Sequence, residues 1–100
     1  MITVIVNHYM KEGLIETALR RIEANGETMK QSPGYLFRYL TASNENRLKY
    51  TTVTGWENEE SYNNWLSARR NGDPGPAFAG EYPYECNETE IQTVIYHDVK

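Results

Sequence analysis

The chain has 100 residues, of which 39% are hydrophobic and 24% are charged, and its formal net charge is −4. This length predicts a single compact domain, and no apolar run approaches the roughly 20 residues that a membrane-spanning helix requires. The negative charge and the scattered basic residues argue against a nucleic-acid-binding surface, and the lone Cys86 allows neither an intrachain disulfide nor a cysteine-rich metal site.

A buried strand and then a helix are predicted for the first third of the chain. Residues 1–9, "MITVIVNHY", carry apolar side chains at odd and even positions, which is typical of a strand buried on both faces. No basic leader precedes this strand, so we expect a cytoplasmic protein rather than a secreted one. Residues 13–31 carry apolar side chains at helical spacing, with Glu16 and Arg20 placed for an ion pair on the outer side, and "QSPG" ends the helix.

Three strands and a second helix are predicted for the remainder. Residues 35–43 and 47–56 are rich in aromatic, Thr and Val residues, and the polar turn "NEN" joins them into a hairpin. Asn58 is a candidate N-cap for a helix that ends near Gly72. A segment rich in Pro and Gly, 71–88, follows, and the last strand is predicted over 89–99. Because loops this long inside a compact domain are usually functional lids or disordered, the segment is a candidate lid.

The element order β-α-β-β-α-β predicts an α+β fold of the ferredoxin-like, split βαβ type, in one domain over 1–100. In this fold the strands form an antiparallel four-stranded sheet in the order 4-1-3-2, with both helices on one face. Since the strands are apolar on both faces, we expect a second copy to cover the other face in a two-fold homodimer.

Three stretches carry a resemblance to a known family: "MITVIVNHYMKEG", "SPGYLFRYL" and "TTVTGWENEESYNNWL". They resemble the antibiotic biosynthesis monooxygenase family of dimeric α/β barrels, over residues 1 to about 70. The most specific element runs from Trp56 and its neighbouring acid through Tyr62 to Trp65. The family includes cofactor-free oxygenases of polycyclic phenols and quinols, haem-degrading monooxygenases, and small proteins of unknown role. The resemblance therefore implies a monooxygenase in a dimeric barrel.

Both enzymatic branches are matched in part. In the haem-degrading branch the matching positions are Asn7 and Trp65, but Gly75 stands where that branch has its axial histidine. In the polyketide-oxygenase branch the matching positions are Trp56 and Tyr62, whereas that branch has an Asn in place of Thr52. The resemblance thus supports two positions of each branch and departs from each at a third.

The topology by itself predicts where a site would lie. Asn7 is about 17 Å up the first strand and Trp65 is about 10 Å up the second helix, so both can face one gap between helix and sheet. His8, Thr51 or Thr52, and Arg69 or Arg70 would converge at the same end. An aromatic cleft with a few polar groups is typical of small-molecule sites, and arginine would favour a carboxylate, phenolate or enolate.

We therefore expect a cofactor-independent monooxygenase that oxidises a small phenol- or quinol-type aromatic with O2, without a bound metal. Asn7 would contact the substrate oxygen and His8 is a candidate base. The expected substrate contacts are Trp56, Tyr62, Trp65, Thr52 and Arg69. Large aromatics also dominate protein cores, so Trp56 has a packing role as its alternative, and Arg69 has that of a solvated helix end.

Two other functions remain open from the residues. The first is haem binding or haem degradation, for which Tyr82, Tyr84 or Cys86 would have to replace the missing histidine as iron ligand. The second is a non-enzymatic dimer that binds a small aromatic molecule, because a fold and a pocket do not fix a chemistry.

Overall fold

The computed structural model describes all 100 residues as one four-stranded antiparallel sheet with two helices. The sheet order is β2-β3-β1-β4, which confirms the predicted arrangement. None of the helices is long and apolar enough to cross a membrane. The elements are β1 Ile2–Met10, α1 Ile15–Lys30, β2 Tyr35–Ala42, β3 Lys49–Trp56, α2 Glu59–Asn71, a 3₁₀ turn Pro76–Phe78, and β4 Tyr84–Thr93.

The helix boundaries follow from local chemistry. Asn58 caps α2 as predicted, because its side-chain oxygen accepts a hydrogen bond of 2.9 Å from the backbone N–H of Ser61. On the outer face of α1 the predicted ion pair is present, with 3.4 Å between Arg20 Nη1 and Glu16 Oε1. Because both side chains are exposed, this ion pair adds little to the free energy of folding. The buried face of α1 is therefore what holds this helix on the sheet.

Successive side chains of β1 point to opposite faces of the sheet. Val4, Val6 and His8 face the helices and line the space beneath them. The side chains between these, including Ile5 and Asn7, therefore lie on the uncovered face. The paired residues of β3 follow the same alternation, because directly opposed residues of an antiparallel pair share a face.

The last strand begins earlier than expected, at Tyr84 rather than at residue 89, and it ends at Thr93 rather than at residue 99. The register explains both limits, because β4 pairs with β1 from Met10↔Tyr84 to Ile2↔Thr93. Beyond Ile2 the remaining partner is the backbone oxygen of Met1, which accepts from the Val94 N–H at 3.1 Å. The apolar side chains of the last residues are consequently exposed, among them Ile95 at 89% and Tyr96 at 81%. The predicted segment 71–88 is thereby shortened to the residues between α2 and β4.

Two hydrophobic clusters hold the helices on the sheet, one near each end. The lower cluster is built around Trp56, which has no exposed surface, and contains Ile2, Val4, Met29, Tyr62 and Trp65. The upper cluster contains Met10, Ala18, Ile22 and Tyr84. Packing is incomplete between the clusters, and this gap contains the cavity described below.

Gly34, between α1 and β2, is expected to tolerate no side chain. Its φ is +87°, and an added Cβ would lie 2.5 Å from Cβ of Ser61 in the first turn of α2. We expect Gly34→Ala to lower the free energy of unfolding by about 2–4 kcal/mol, through backbone strain and overpacking together. The control is Gly13→Ala, where φ is +78° but no atom lies within 4 Å of the added Cβ.

In urea denaturation Gly13→Ala should therefore show the strain alone, about 1–2 kcal/mol. Equal losses for the two variants would contradict the proposed contact with α2.

Candidate functional site

A cavity of about 270 Å³ lies between the helix layer and the sheet. Its floor is formed by side chains of β1 and β3, and its walls by both helices and the segment before β4. The volume is close to the lower end of the range typical of small-molecule sites. Its size therefore suits a compact ligand of one or a few rings.

The polar centre of the floor is His8, which takes part in a chain of hydrogen bonds. Asn87 donates through Nδ2 to the Tyr82 hydroxyl at 3.0 Å, so its Oδ1 is the acceptor for His8 Nδ1 at 2.7 Å. His8 therefore carries its hydrogen on Nδ1, and Nε2 accepts from the Thr52 hydroxyl at 2.7 Å. We call Tyr82, Asn87, His8 and Thr52 the His8 chain. It fixes both the tautomer and the orientation of the imidazole.

His8 is also the group in the cavity whose charge state suits a base near neutral pH. Burial lowers the pKa of His8, and the hydrogen bond to Asn87 opposes part of that effect, so the imidazole is neutral. Burial raises the pKa of Tyr62, and it raises the pKa of Tyr84 to about 12, so both phenols keep their protons. A proton taken from a ligand in this cavity would accordingly go to His8.

Aromatic rings close the cavity on the helix side. Trp65 is 7% exposed, and its indole N–H donates to Thr28 Oγ1 at 2.9 Å. The guanidinium carbon of Arg69 lies 5.9 Å from the Trp65 ring centroid and 5.7 Å from that of Phe78. Phe78 belongs to the segment between α2 and β4, so this segment contributes to the wall of the cavity.

Three arginines line the cavity, and no Asp or Glu does. Arg38 donates to the backbone oxygen of Ile22 at 2.8 Å, and Arg69 donates through Nε to Asn25 Oδ1 at 2.8 Å. The third, Arg21, is 9% exposed. In a chain of net charge −4, the cavity is thus a local concentration of positive charge.

Five of the seven predicted site residues lie around this cavity. They are His8, Thr52, Tyr62, Trp65 and Arg69. His8 and Thr52 belong to the His8 chain. Tyr62 and Trp65 form aromatic walls, and Arg69 is a cation in the lining. The cavity thereby brings together side chains from β1, β3 and α2.

Asn7 does not share the gap with Trp65, and that expectation is wrong. Asn7 lies on the uncovered face of the sheet, where its Oδ1 accepts from the Thr51 hydroxyl at 2.7 Å. The reason is the alternation along β1: His8 faces the helices, so its neighbour faces away. Within one subunit, a ligand in the cavity reaches His8 and not Asn7.

Trp56 packs in the core instead of lining the cavity. It is fully buried, its rings contact Tyr35, Tyr62 and Trp65 at centroid distances of 5.7–6.1 Å, and its N–H donates to Thr54 Oγ1 at 3.0 Å. Trp56 was expected to be a ligand wall, and this is corrected to a packing role, because Tyr62 and Trp65 pack against it and line the cavity whereas Trp56 does not.

Several lining residues were not predicted as substrate contacts: Arg21, Phe78 and Asn87, and also Tyr82 and Tyr84, which the sequence suggested only as iron ligands. A signal for Arg21 was present, since it lies three residues after Ala18 and shares the buried stripe of α1. The others follow from the true start of β4 and from the fold of the segment before it, for which the sequence carries no periodic signal.

Comparison with known proteins gives a consistent family assignment. The sequence profile described as antibiotic biosynthesis monooxygenase matches residues 1–71. Curated protein sequences give no match.

Among solved structures, a mutant of MhuD with two manganese protoporphyrin IX molecules per active site has a TM-score of 0.83 at 17% identity, covering 100% of both chains. MhuD, a haem degrader of Mycobacterium tuberculosis solved with two haems bound, has a TM-score of 0.70 at 19% identity, again covering 100% of both chains. SnoaB, a cofactor-independent oxygenase from Streptomyces nogalater, has a TM-score of 0.77 at 11% identity, covering 96% of this chain and 94% of its own. At these identities the likeness shows the fold.

Proposed function

The chain belongs to the antibiotic biosynthesis monooxygenase family, and on that basis we propose that it oxidises a small phenol- or quinol-type aromatic with O2 and without a bound cofactor. The observation that carries this proposal is the His8 chain, which presents a neutral, oriented imidazole to an aromatic cavity. Support from the comparisons is that the fold is shared with a cofactor-independent oxygenase.

The proposed proton transfer runs through Thr52. Its hydroxyl hydrogen points to His8 Nε2, so the lone pairs of Oγ1 are available to accept the hydroxyl hydrogen of a substrate. As the substrate proton moves to Thr52, the threonine proton moves to His8, and Asn87 stabilises the imidazolium through Nδ1. The residues thereby produce a substrate anion held between aromatic walls.

The oxidation itself uses electrons from the substrate. The anion transfers one electron to O2, and the two radicals combine at a ring carbon to form a peroxide anion, which takes back the proton held by His8. Loss of water from a CH₂ position then leaves one oxygen atom as a carbonyl and the other in water, so that CH₂ and O2 become C=O and H₂O. A dry aromatic pocket favours this route because it protects the reactive anion and peroxide from bulk water.

Oxygen-electrode measurements with anthrone and dihydroxynaphthalene test the proposed reaction. We expect uptake that depends on protein, with one atom from labelled O2 in the anthrone product. Stabilisation of the protein by these compounds without any oxygen uptake would replace the enzyme with a non-enzymatic binding protein.

Asn87→Asp is expected to move the pH dependence of turnover. In the wild type, the rate rises as pH increases through the pKa of His8, which lies below its ordinary value of 6.5 because of burial. A carboxylate at 87 would stabilise the imidazolium and raise this pKa, so the acid limb should shift upward by about one pH unit. The measurement is kcat/KM against pH; a control is Glu23→Gln, which removes a carboxylate at an exposed position of α1 outside the cavity lining. An unshifted limb would remove His8 as the base.

The cavity does not fit haem iron as its cofactor. Both ring nitrogens of His8 are engaged. The Tyr84 hydroxyl donates to a backbone oxygen at 3.3 Å, and the Tyr82 hydroxyl accepts from Asn87. Burial raises the pKa of Tyr62, which disfavours the phenolate that would bind iron.

Cys86 offers no alternative iron ligand, because it is exposed and pairs with Tyr9 on the uncovered sheet face. Titration with haemin tests this point: no shift of the Soret band is expected, and a ligated spectrum would restore the haem function.

The proposal includes a homodimer through the uncovered sheet face. Ile5, Val53 and Tyr39 lie side by side across three strands on this face, and Tyr39 is 64% exposed. An apolar band of this kind usually marks an interface. Light scattering should report a dimer, and Tyr39→Glu should dissociate it; a monomeric wild type at micromolar concentration would contradict this part.

A further inference from the structure

Arg21 is the unusual cation of the cavity. It is 9% exposed, and its Nε is the buried side-chain nitrogen that has no hydrogen-bond partner. Of the five N–H donors of a guanidinium, one bond to the protein is present, from Nη2 to the backbone oxygen of Phe78 at 3.1 Å. No carboxylate forms an ion pair with it.

The surroundings of Arg21 hold the guanidinium in place without neutralising it. Its central carbon lies 5.5 Å from the ring centroids of both Phe78 and Tyr82. Both rings pack against the cation, and its Nε stays buried beside them without a hydrogen-bond partner. An arginine keeps its charge when buried, so an unpaired one is costly to the folded protein. Such a cost is typical of residues that are kept for a ligand.

The position of Arg21 relative to the His8 chain limits the ligand. Tyr82 links the two, because its ring packs against Arg21 while its hydroxyl accepts from Asn87. The guanidinium and the imidazole therefore line the same cavity and are connected through Tyr82 and Asn87. A rigid bicyclic molecule with polar groups at opposite ends is a ligand that would present one group to each of them.

We propose that Arg21 binds a carboxylate carried by the aromatic substrate, at the end of the molecule opposite the hydroxyl group that reacts at Thr52 and His8. The inference rests on the proposed function for the identity of the reacting hydroxyl, while the carboxylate contact stands on Arg21 itself. Carboxylate oxygens match the parallel N–H bonds of a guanidinium edge, which makes this pair stronger than a neutral hydrogen bond. The substrate class is thus an aromatic hydroxy acid.

A binding experiment with two matched probes tests the proposal. The probes are 6-hydroxy-2-naphthoate and 2-naphthol, which share the ring and the hydroxyl and differ in the carboxylate. We expect calorimetry to show that wild type binds the hydroxy acid ~10- to 100-fold more tightly, as charge-assisted hydrogen bonds predict. In Arg21→Met the preference should fall below about threefold with naphthol affinity unchanged, and in Arg21→Lys it should be intermediate.

The matched control is Arg20→Met, which removes the same charge from the neighbouring residue. Arg20 is exposed and paired with Glu16, so this variant should keep the wild-type preference. Equal loss in both variants would indicate a general charge effect and overturn the proposal. So would a wild type without preference for the hydroxy acid.

Thermal melting separates ligand binding from a structural role. Without ligand, Arg21→Met should melt at a temperature equal to or higher than wild type, because it removes an unpaired buried charge. A lower melting temperature would show that the guanidinium is needed for the fold and would overturn the proposal.

Oxygen uptake is recorded separately, so that the two proposals can fail independently. Arg21-dependent binding of the hydroxy acid without oxygen consumption would leave the carboxylate site standing and remove the oxygenase. Oxygen consumption that is equal for both probes and unchanged in Arg21→Met would leave the oxygenase standing and overturn the carboxylate site.

Discussion

His8→Ala is expected to lower the rate of protein-dependent oxygen uptake by ~10²- to 10⁴-fold, the usual contribution of a positioned general base. The physical reason is the His8 chain: without the imidazole, the Thr52 proton has no acceptor, and the substrate hydroxyl must ionise unaided. The measurement is kcat/KM on an oxygen electrode at a pH above the pKa of the substrate and again two units below it. The loss of kcat/KM should be large at the lower pH and smaller at the higher pH, where the substrate ionises by itself.

The chain offers a matched control in its other histidine. His97 lies in the exposed residues after β4, far from the cavity lining, and His97→Ala should retain the wild-type rate. His8→Gln keeps a hydrogen-bonding side chain of similar length, and it should fold while losing the same activity. If His8→Gln turned over at the wild-type rate, the imidazole would have no part in the chemistry.

Trp56→Ala is expected to cost about 3–5 kcal/mol of folding free energy, a large share of the 5–15 kcal/mol that stabilises a typical domain. Trp56 is fully buried, three aromatic rings pack against it, and its N–H is satisfied by Thr54. Removing the indole leaves a void where β3 meets α2 and leaves a polar atom with one partner fewer. Urea denaturation gives the value, with the slope of the transition as a check on two-state behaviour.

Tyr96→Ala provides the comparison, since Tyr96 is aromatic but 81% exposed and should change stability by no more than about 0.5 kcal/mol. Trp56→Phe should lie between the two. A loss below about 1.5 kcal/mol for Trp56→Ala would mean that the neighbouring rings collapse into the space, and the lower cluster would then not depend on this residue.

The fold could be predicted almost completely, because its signals are local. Helical spacing, the cap at Asn58 and the turn residues determine the order of elements, and that order leads to the sheet. The end of β4 could not be predicted, since Ile95 and Tyr96 continue the apolar sequence pattern of a strand although their side chains are exposed. Where β4 ends is decided by where its partner β1 begins, which is a tertiary property.

The site could be predicted only in part, for a reason specific to β1. This strand is apolar on both faces, so its composition does not tell which face the helices cover. The prediction therefore placed both Asn7 and His8 at the site, whereas in the structure His8 lines the cavity and Asn7 lies on the uncovered face. Arg21 was missed because a charged residue on an amphipathic helix is usually solvated, and its burial depends on Phe78 and Tyr82 from the far end of the chain.

The three arginines of the cavity also bear on how quickly an anion reaches it. All 14 acidic residues lie outside the cavity lining, so the outer surface is more negative than the net charge of −4 suggests. Outside the cavity an approaching anion is repelled by this negative surface, and added salt shortens the range of the repulsion, which is about 10 Å at 0.1 M salt. Inside the cavity, salt screens charges less, so the attraction between the arginines and the anion persists. Added salt should therefore speed the arrival of an anionic ligand, opposite to its effect on proteins that steer ligands by attraction.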